Sequence, residues 1–304
     1  MLFFTYKDKV VKDIVEQFEE DGIEAEFDTF DEKQVNSRRR AIRIHKKAEK
    51  IYSPLLLLFF IVLIGISTFM FLHRVVYENT YDTTFKKLKT EIIKSSPDSE
   101  ESGEPADNKT KYAALLKENP DFIGWLKIED TAVDLPVVWR QNDNSFYLSH
   151  DFDMQDSKYG VPFLDGKCDP ALNSGCNNYV IYGHNMKTGT VFAGLLKYEY
   201  QDYFEQHPTI RFDSIYEDSQ YDIFAAFAID VTKDTEFQYY NDTAMDKETF
   251  NAFINDIKRR TIIRSDITPQ YGDQIMTLST CEYSTDDGRF VVFAVKKPND
   301  STSG

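Results

Sequence analysis

A residue able to do covalent chemistry and a cation able to assist it stand on either side of one short turn. The apolar run Gln274 to Cys281, QIMTLSTC, ends in a thiol, and Arg289 opens a second run, RFVVFAV, after the acidic segment Glu282 to Gly288. β-Branched and aromatic runs around a turn read as strand, loop and strand. If the two strands pair antiparallel, Cys281 and Arg289 lie opposite each other with Cβ atoms roughly 5 Å apart. A guanidinium at that distance favours thiolate over a thiol of ordinary pKa ~8.5, and the thiolate is the nucleophile. The same cation can later hold an oxyanion. Taken alone, the pair reads as a buried small hydrophobe beside a solvated strand end. A third residue changes this: in Asn178 to Met186, NYVIYGHNM, the short strand Val180 to Tyr182 is broken by Gly183 and followed by His184. Strand ends and loops are where proton-transfer side chains tend to sit.

A sheet must hold these three residues. Strands are predicted over Phe122 to Ile128, Val133 to Trp139, Val161 to Leu164 and Asn178 to Tyr182. They continue over Thr209 to Asp213, Tyr221 to Asp230, Gln274 to Cys281 and Arg289 to Lys297. Many short strands between turn residues predict a mainly β fold, a closed barrel rather than an α/β sheet. Tyr221 to Asp230 is apolar on both faces over Ile223 to Ile229, and so is Phe290 to Val295. Such strands need cover on both sides, which helices outside the barrel would supply. One candidate is Lys247 to Arg259, with Asp246 as N-cap and Phe250, Phe253, Ile254 and Ile257 in one stripe. A shorter helix, Tyr112 to Glu118, is ended by Asn119 and Pro120.

Taken together, the local motifs closely resemble those of the sortases, the membrane-anchored cysteine transpeptidases of Gram-positive cell surfaces, and the match is best to class B. TLSTC ending in the nucleophile, Arg289 opening the next strand and YGHNM around the histidine carry the resemblance. NPDFIGWLKI, DLPVV and DNSFYLSHDF extend it over Ala113 to Lys297. It implies an eight-stranded sortase-type barrel with peripheral helices; a long helix shortly before the cysteine strand is a class B trait. It also implies that Cys281 attacks the carbonyl of a sorting-signal peptide to give a thioester. His184 would protonate the departing amine and deprotonate the incoming one, and Arg289 would hold the carbonyl and its developing charge. Asn144, Leu148, Tyr182, Ser279, Thr280 and Glu282 match positions that line the signal-binding groove of class B relatives; Tyr182 and Leu148 read equally as core. The loop from Cys281 to Arg289 is shorter than in some class B enzymes, and the segment Tyr239 to Asp246, where relatives place further contacts, carries no motif that assigns residues.

The implied reaction transfers the acyl part of a secreted surface protein to an amine of the cell wall precursor, a peptidase-like cysteine chemistry. The alternatives are a class B-like pilin polymerase with a lysine acceptor, a cysteine peptidase and a non-catalytic membrane-tethered binding module. Pilus enzymes of class C often carry a lid with an Asp-Pro-aromatic motif, and between Tyr77 and Lys117 there is none.

Outside that region the chain of 304 residues gives one strong physical signal, the uncharged stretch Leu55 to Leu72, LLLLFFIVLIGISTFMFL. At ~1.5 Å per residue it spans about 27 Å, close to the apolar thickness of a bilayer. Arg38, Arg39, Arg40, Arg43, Lys46, Lys47 and Lys50 precede it, and Arg74 follows. The positive-inside rule then puts the N-terminus in the cytoplasm and the bulk of the chain outside the cell membrane. The expected organisation is a cytoplasmic segment 1–53 with helical spacing over Val10 to Phe18, a transmembrane helix 54–74 and a stalk 75–111. A catalytic domain 112–298 and a tail 299–304 follow. Ser95 to Thr110, SSPDSEESGEPADNKT, lacks apolar periodicity and reads as flexible. The net charge of -16 argues against nucleic acid as a partner. No cofactor is implied, and no His, Cys and acid grouping has metal-ligand spacing. Cys168 and Cys176 leave a disulfide open, with Cys281 free in either case.

Overall fold

The computed structural model describes residue 40 and residues 54–72, 87–90, 108–170, 175–241, 243–281 and 287–298. The expected helix Val10 to Phe18, the basic cluster apart from Arg40, the stalk before Asn108 apart from residues 87–90, Glu282 and the tail 299–304 lie outside them. The chain divides into two units, Met1–Asn79 and Thr80–Gly304. In the first, Pro54–Leu72 is one helix, long and apolar enough to cross a membrane and exposed on every side.

In the second, eight strands close into a barrel in the order β1-β2-β3-β4-β7-β8-β6-β5. They are β1 (Phe122–Lys127), β2 (Asp134–Trp139), β3 (Phe163–Leu164), β4 (Asn178–Tyr182), β5 (Thr209–Ser214), β6 (Asp218–Asp230), β7 (Ile275–Cys281) and β8 (Gly288–Lys296). The mainly β barrel expected from the sequence is the observed fold. Strand β3 is shorter than the predicted Val161 to Leu164. Pro162 has no N–H to give a ladder, and the Val161 N–H donates instead to the Tyr147 carbonyl at 3.1 Å. The helix predicted from Tyr112 begins at Ala113 and follows a separate turn of helix, Asn108–Lys111. Packing reaches back beyond Tyr112: Leu88 is fully buried, and the Asn108 amide donates to the Ser214 carbonyl at 2.9 Å.

One parallel pairing decides where the chemistry lies. Strand β4 runs parallel to β7, Asn178 through Tyr182 against Ile275 through Ser279. Parallel neighbours need a long crossover, and here it contains β5, β6 and the helix Lys247–Arg260. The C-terminal ends of β4 and β7 therefore emerge side by side, next to the N-terminal end of β8. The crossover covers one face of these strands. Phe250, Phe253, Ile254 and Ile257 of the helix are buried in a cluster with Val180, Ile275, Val291, Phe293 and Val295, which share a face by their period-two spacing. The rings of Phe237 and Phe253 stack at 5.5 Å, and those of Phe227 and Phe293 at 5.4 Å. Phe290, Val292 and Ala294 are buried on the opposite face, so β8 has the two-sided cover its sequence demands. Asp246 caps the helix as expected, its carboxylate accepting from the Thr249 N–H at 2.9 Å.

Candidate active site

The covered face continues past the helix to Tyr182 on β4, Ser279 and Cys281 on β7 and Arg289 on β8. There the cover ends and a cavity of about 330 Å³ opens. Cys281, His184 and Arg289 all line it, as do Asn144, Leu148, Tyr182, Ser279 and Thr280. Cys281 and Arg289 are direct partners in the antiparallel β7–β8 register, as the strand pattern predicts. Cys281 is a free thiol of intermediate exposure. One guanidinium N–H of Arg289, on Nη1, donates to the Gly288 carbonyl at 2.9 Å, which holds the head of the side chain against its own strand.

His184 follows β4 by two residues, and three hydrogen bonds extend the β4–β7 ladder to hold it. The Gly183 N–H donates to the Ser279 carbonyl at 3.1 Å, and the Thr280 hydroxyl donates to the Gly183 carbonyl at 2.7 Å. The Asn185 amide donates to the Cys281 carbonyl at 2.9 Å. The segment carrying His184 is thus tied to the strand end carrying Cys281. The ring is oriented by a second contact, His184 Nε2 to the Leu148 carbonyl at 2.7 Å. A carbonyl only accepts, so the proton is on Nε2. The other nitrogen, Nδ1, has no hydrogen-bond partner among the described residues.

Leu148 is placed for this by the local sequence. The Asp143 carboxylate accepts from the Ser145 N–H at 2.9 Å and the Phe146 N–H at 3.2 Å, starting the short 3-10 turn Phe146–Leu148. These bonds, the Ser145 N–H first, hold the Asp143 carboxyl below the usual carboxylate range. Gly160 packs against the same turn at φ +58°. A Cβ there would stand 2.3 Å from the Tyr147 carbonyl and 3.3 Å from both the Leu148 carbonyl and His184 Cδ2. Only glycine suits that position.

The structure adds Tyr239, Tyr240, Val231 and Phe163 to the cavity wall. Tyr239 and Val231 come from the crossover, which no motif connects to the barrel. The Tyr239 hydroxyl and the Ser279 hydroxyl lie 2.7 Å apart and both residues are buried. Burial pushes the Tyr239 hydroxyl up to about 12, against the opposing pull of the Ser279 hydroxyl and the Arg289 cation. Cys168 and Cys176 are joined by a disulfide, Cα to Cα 5.7 Å, between β3 and β4. Among the described residues no group of three His, Cys or acidic side chains could hold a metal.

A family model of the sortase domain matches residues 126–297. Sortase B of Listeria monocytogenes serovar 1/2a is 31% identical over 219 residues, covering 71% of this chain and 85% of the relative. Sortase B of Staphylococcus aureus is 33% identical over 186 residues, 60% of this chain and 73% of the relative. Among solved structures, a Staphylococcus aureus sortase B–substrate complex matches at TM-score 0.64 and 29% identity, covering 74% of this chain and 99% of the other. A sortase B complexed with triglycine gives 0.63 and 28%, covering 73% and 99%. Clostridium perfringens sortase B gives 0.56 and 29%, covering 61% and 99%. The thiol-bearing barrel mouth, the family match over most of the barrel and the likeness to these relatives agree: the chain belongs to the sortase family of cysteine transpeptidases and is of the sortase B type.

Proposed function

We propose that Cys281, His184 and Arg289 carry out acyl transfer from a C-terminal sorting signal to an amine. The observation that carries the reading is their convergence on one cavity of about 330 Å³ at the shared mouth of β4, β7 and β8. The Cys281 thiolate attacks the signal carbonyl, and the tetrahedral oxyanion is held by Arg289. Collapse breaks the peptide bond, the departing amine takes a proton from the His184 imidazolium, and a thioester remains. An incoming amine then attacks the thioester and gives its proton to His184, and the thiolate leaves. The acyl group has moved from one amine to another with no net oxidation. The relative solved with its substrate and the one solved with triglycine support a peptide donor and a small amine acceptor.

The cavity wall formed by Asn144, Leu148, Tyr182, Ser279 and Thr280 receives the signal, of the kind Pro-x-Thr followed by a small residue. The acceptor is an amine of the cell wall precursor. The helix Pro54–Leu72 holds the enzyme in the cell membrane. The basic residues before it keep the N-terminus in the cytoplasm, so the catalytic domain 112–298 faces the wall.

The test uses the full-length chain in detergent with Pro-x-Thr-Gly peptides, with and without triglycine, a diaminopimelate stem peptide or a lysine peptide, and products read by mass spectrometry. Ligated product with the stem peptide or triglycine, absent in Cys281→Ala, is expected. Cleavage at a rate indifferent to every amine, with no ligated product, leaves a cysteine peptidase, and ligation to the lysine peptide alone favours pilin polymerisation.

A further inference from the structure

Behind the cavity wall lies a buried acid that no motif singles out. Asp165 follows β3 directly and is 1% exposed. Its carboxylate accepts three hydrogen bonds. Oδ1 takes the Lys167 N–H at 2.9 Å, and Oδ2 takes both the Tyr182 hydroxyl at 2.8 Å and the Asn144 Nδ2 at 2.9 Å. Tyr182 is the last residue of β4 and Asn144 belongs to the β2–β3 connection, so one carboxylate grips two wall residues from separate elements. Asn144 is held at its other end as well, Oδ1 accepting from the Gly166 N–H at 2.7 Å. With a donor fixed on one side and an acceptor on the other, its amide has one orientation, leaving its second N–H to meet a ligand.

The acid itself has little room to move. A Cβ on Gly166 would stand 2.6 Å from the Arg140 carbonyl oxygen and 2.7 Å from the Asn142 and Asp143 nitrogens. The Cys168 N–H donates to the Asp165 carbonyl at 2.9 Å, and the Asp165 N–H donates to the Val180 carbonyl of β4 at 2.8 Å. The turn is therefore fastened to β4, to the β2–β3 connection and, through Cys168, to the disulfide.

We propose that Asp165 is a positioning residue for peptide recognition: it sets the direction of the Asn144 amide and the Tyr182 ring, and so the shape and polarity of the wall that meets the signal. The proposal rests on the reading of this cavity as the signal groove. None of the Asp165 hydrogen bonds goes to Cys281 or His184, so its loss acts on binding rather than on chemistry.

The arrangement of donors gives a test by exchange. Asp165→Asn, with its amide oxygen kept on the Lys167 N–H, sets an amide N–H against the Asn144 N–H, and Asn144 cannot turn without facing the Gly166 N–H donor to donor. Asn144→Asp sets carboxylate against carboxylate. With both changes the amide at 165 donates to the carboxylate at 144, whose other oxygen still accepts from Gly166, and the Tyr182 hydroxyl accepts the second N–H. In the full-length chain with a quenched Pro-x-Thr-Gly peptide, each single change should raise KM about tenfold, the scale of one mismatched buried hydrogen bond. Turnover at saturation should stay within about threefold, as should labelling of Cys281 by a methanethiosulfonate. The double exchange should return KM to within about threefold of wild type. Where Asp165→Asn fails to fold by circular dichroism, Tyr182→Phe, which removes one of the three donors, should raise KM several-fold. Unchanged KM in folded variants, or a double exchange no better than the single changes, overturns the positioning role. A wild-type chain that cleaves no such peptide overturns the groove reading itself, and this proposal with it.

Discussion

The buried pair Tyr239 and Ser279 offers a sharp test of how the crossover is fastened to the cysteine strand. The two hydroxyls are 2.7 Å apart, with Tyr239 1% and Ser279 2% exposed. Ser279→Ala changes almost no volume but leaves the tyrosine hydroxyl buried and unpaired, at a cost of about 1–3 kcal/mol. In a folded unit of this size that lowers Tm by roughly 2–12 °C. Tyr239→Phe leaves the smaller serine hydroxyl, which can turn to a local backbone carbonyl, so its cost is lower, about 0.5–1.5 kcal/mol. The double variant removes both polar groups and should be more stable than the sum of the single losses predicts, by about 1 kcal/mol. Urea titration followed by tryptophan fluorescence reads this directly, because both tryptophans, Trp125 and Trp139, lie in barrel strands. Losses that add to within about 0.5 kcal/mol would refute the coupling and, with it, the claim that this bond anchors the crossover at the cavity.

Arg289→Lys should fold normally and lose on the order of a hundredfold in turnover, because an ammonium cannot reproduce the planar fork of donors at an oxyanion; turnover within twofold of wild type removes Arg289 from the mechanism. Gly160→Ala should lower stability by about 2–4 kcal/mol, from its left-handed backbone and the clash with the Tyr147 carbonyl, and should slow turnover further by displacing the Leu148 carbonyl from His184. A urea midpoint and rate equal to wild type would show that the turn has room to yield. The raised Tyr239 hydroxyl predicts alkaline sensitivity with a definite sign. Its neutral form is favoured in the folded state, so that stability is fully present below the ordinary tyrosine value of about 10. It falls as pH rises from there towards about 12. Urea midpoints between pH 8 and 11 should decline in wild type and decline less in Tyr239→Phe; equal slopes would place the loss elsewhere.

Local pattern determined much of this protein. The turn between two β-branched runs was enough to set Cys281 opposite Arg289, since an antiparallel pair joined by a short connection has its register fixed by that connection. The two-sided apolar runs in β6 and β8 announced a covering helix, and the stripe Phe250, Phe253, Ile254 and Ile257 supplied it. The uncharged run before the barrel formed a helix by composition alone. Tertiary structure decided what depends on partners distant in sequence. The parallel pairing of β4 with β7 brings His184 beside Cys281 across a crossover of nearly a hundred residues, and no local spacing encodes it. Tyr239 enters the cavity because the helix behind it packs on Phe293. Asp165 is one acid among many until three donors from three segments meet on it. A sequence shows each residue's period and propensity along its own strand or helix. Which hydroxyl, amide or carbonyl it satisfies is settled only when the barrel closes and every buried polar group must find a partner.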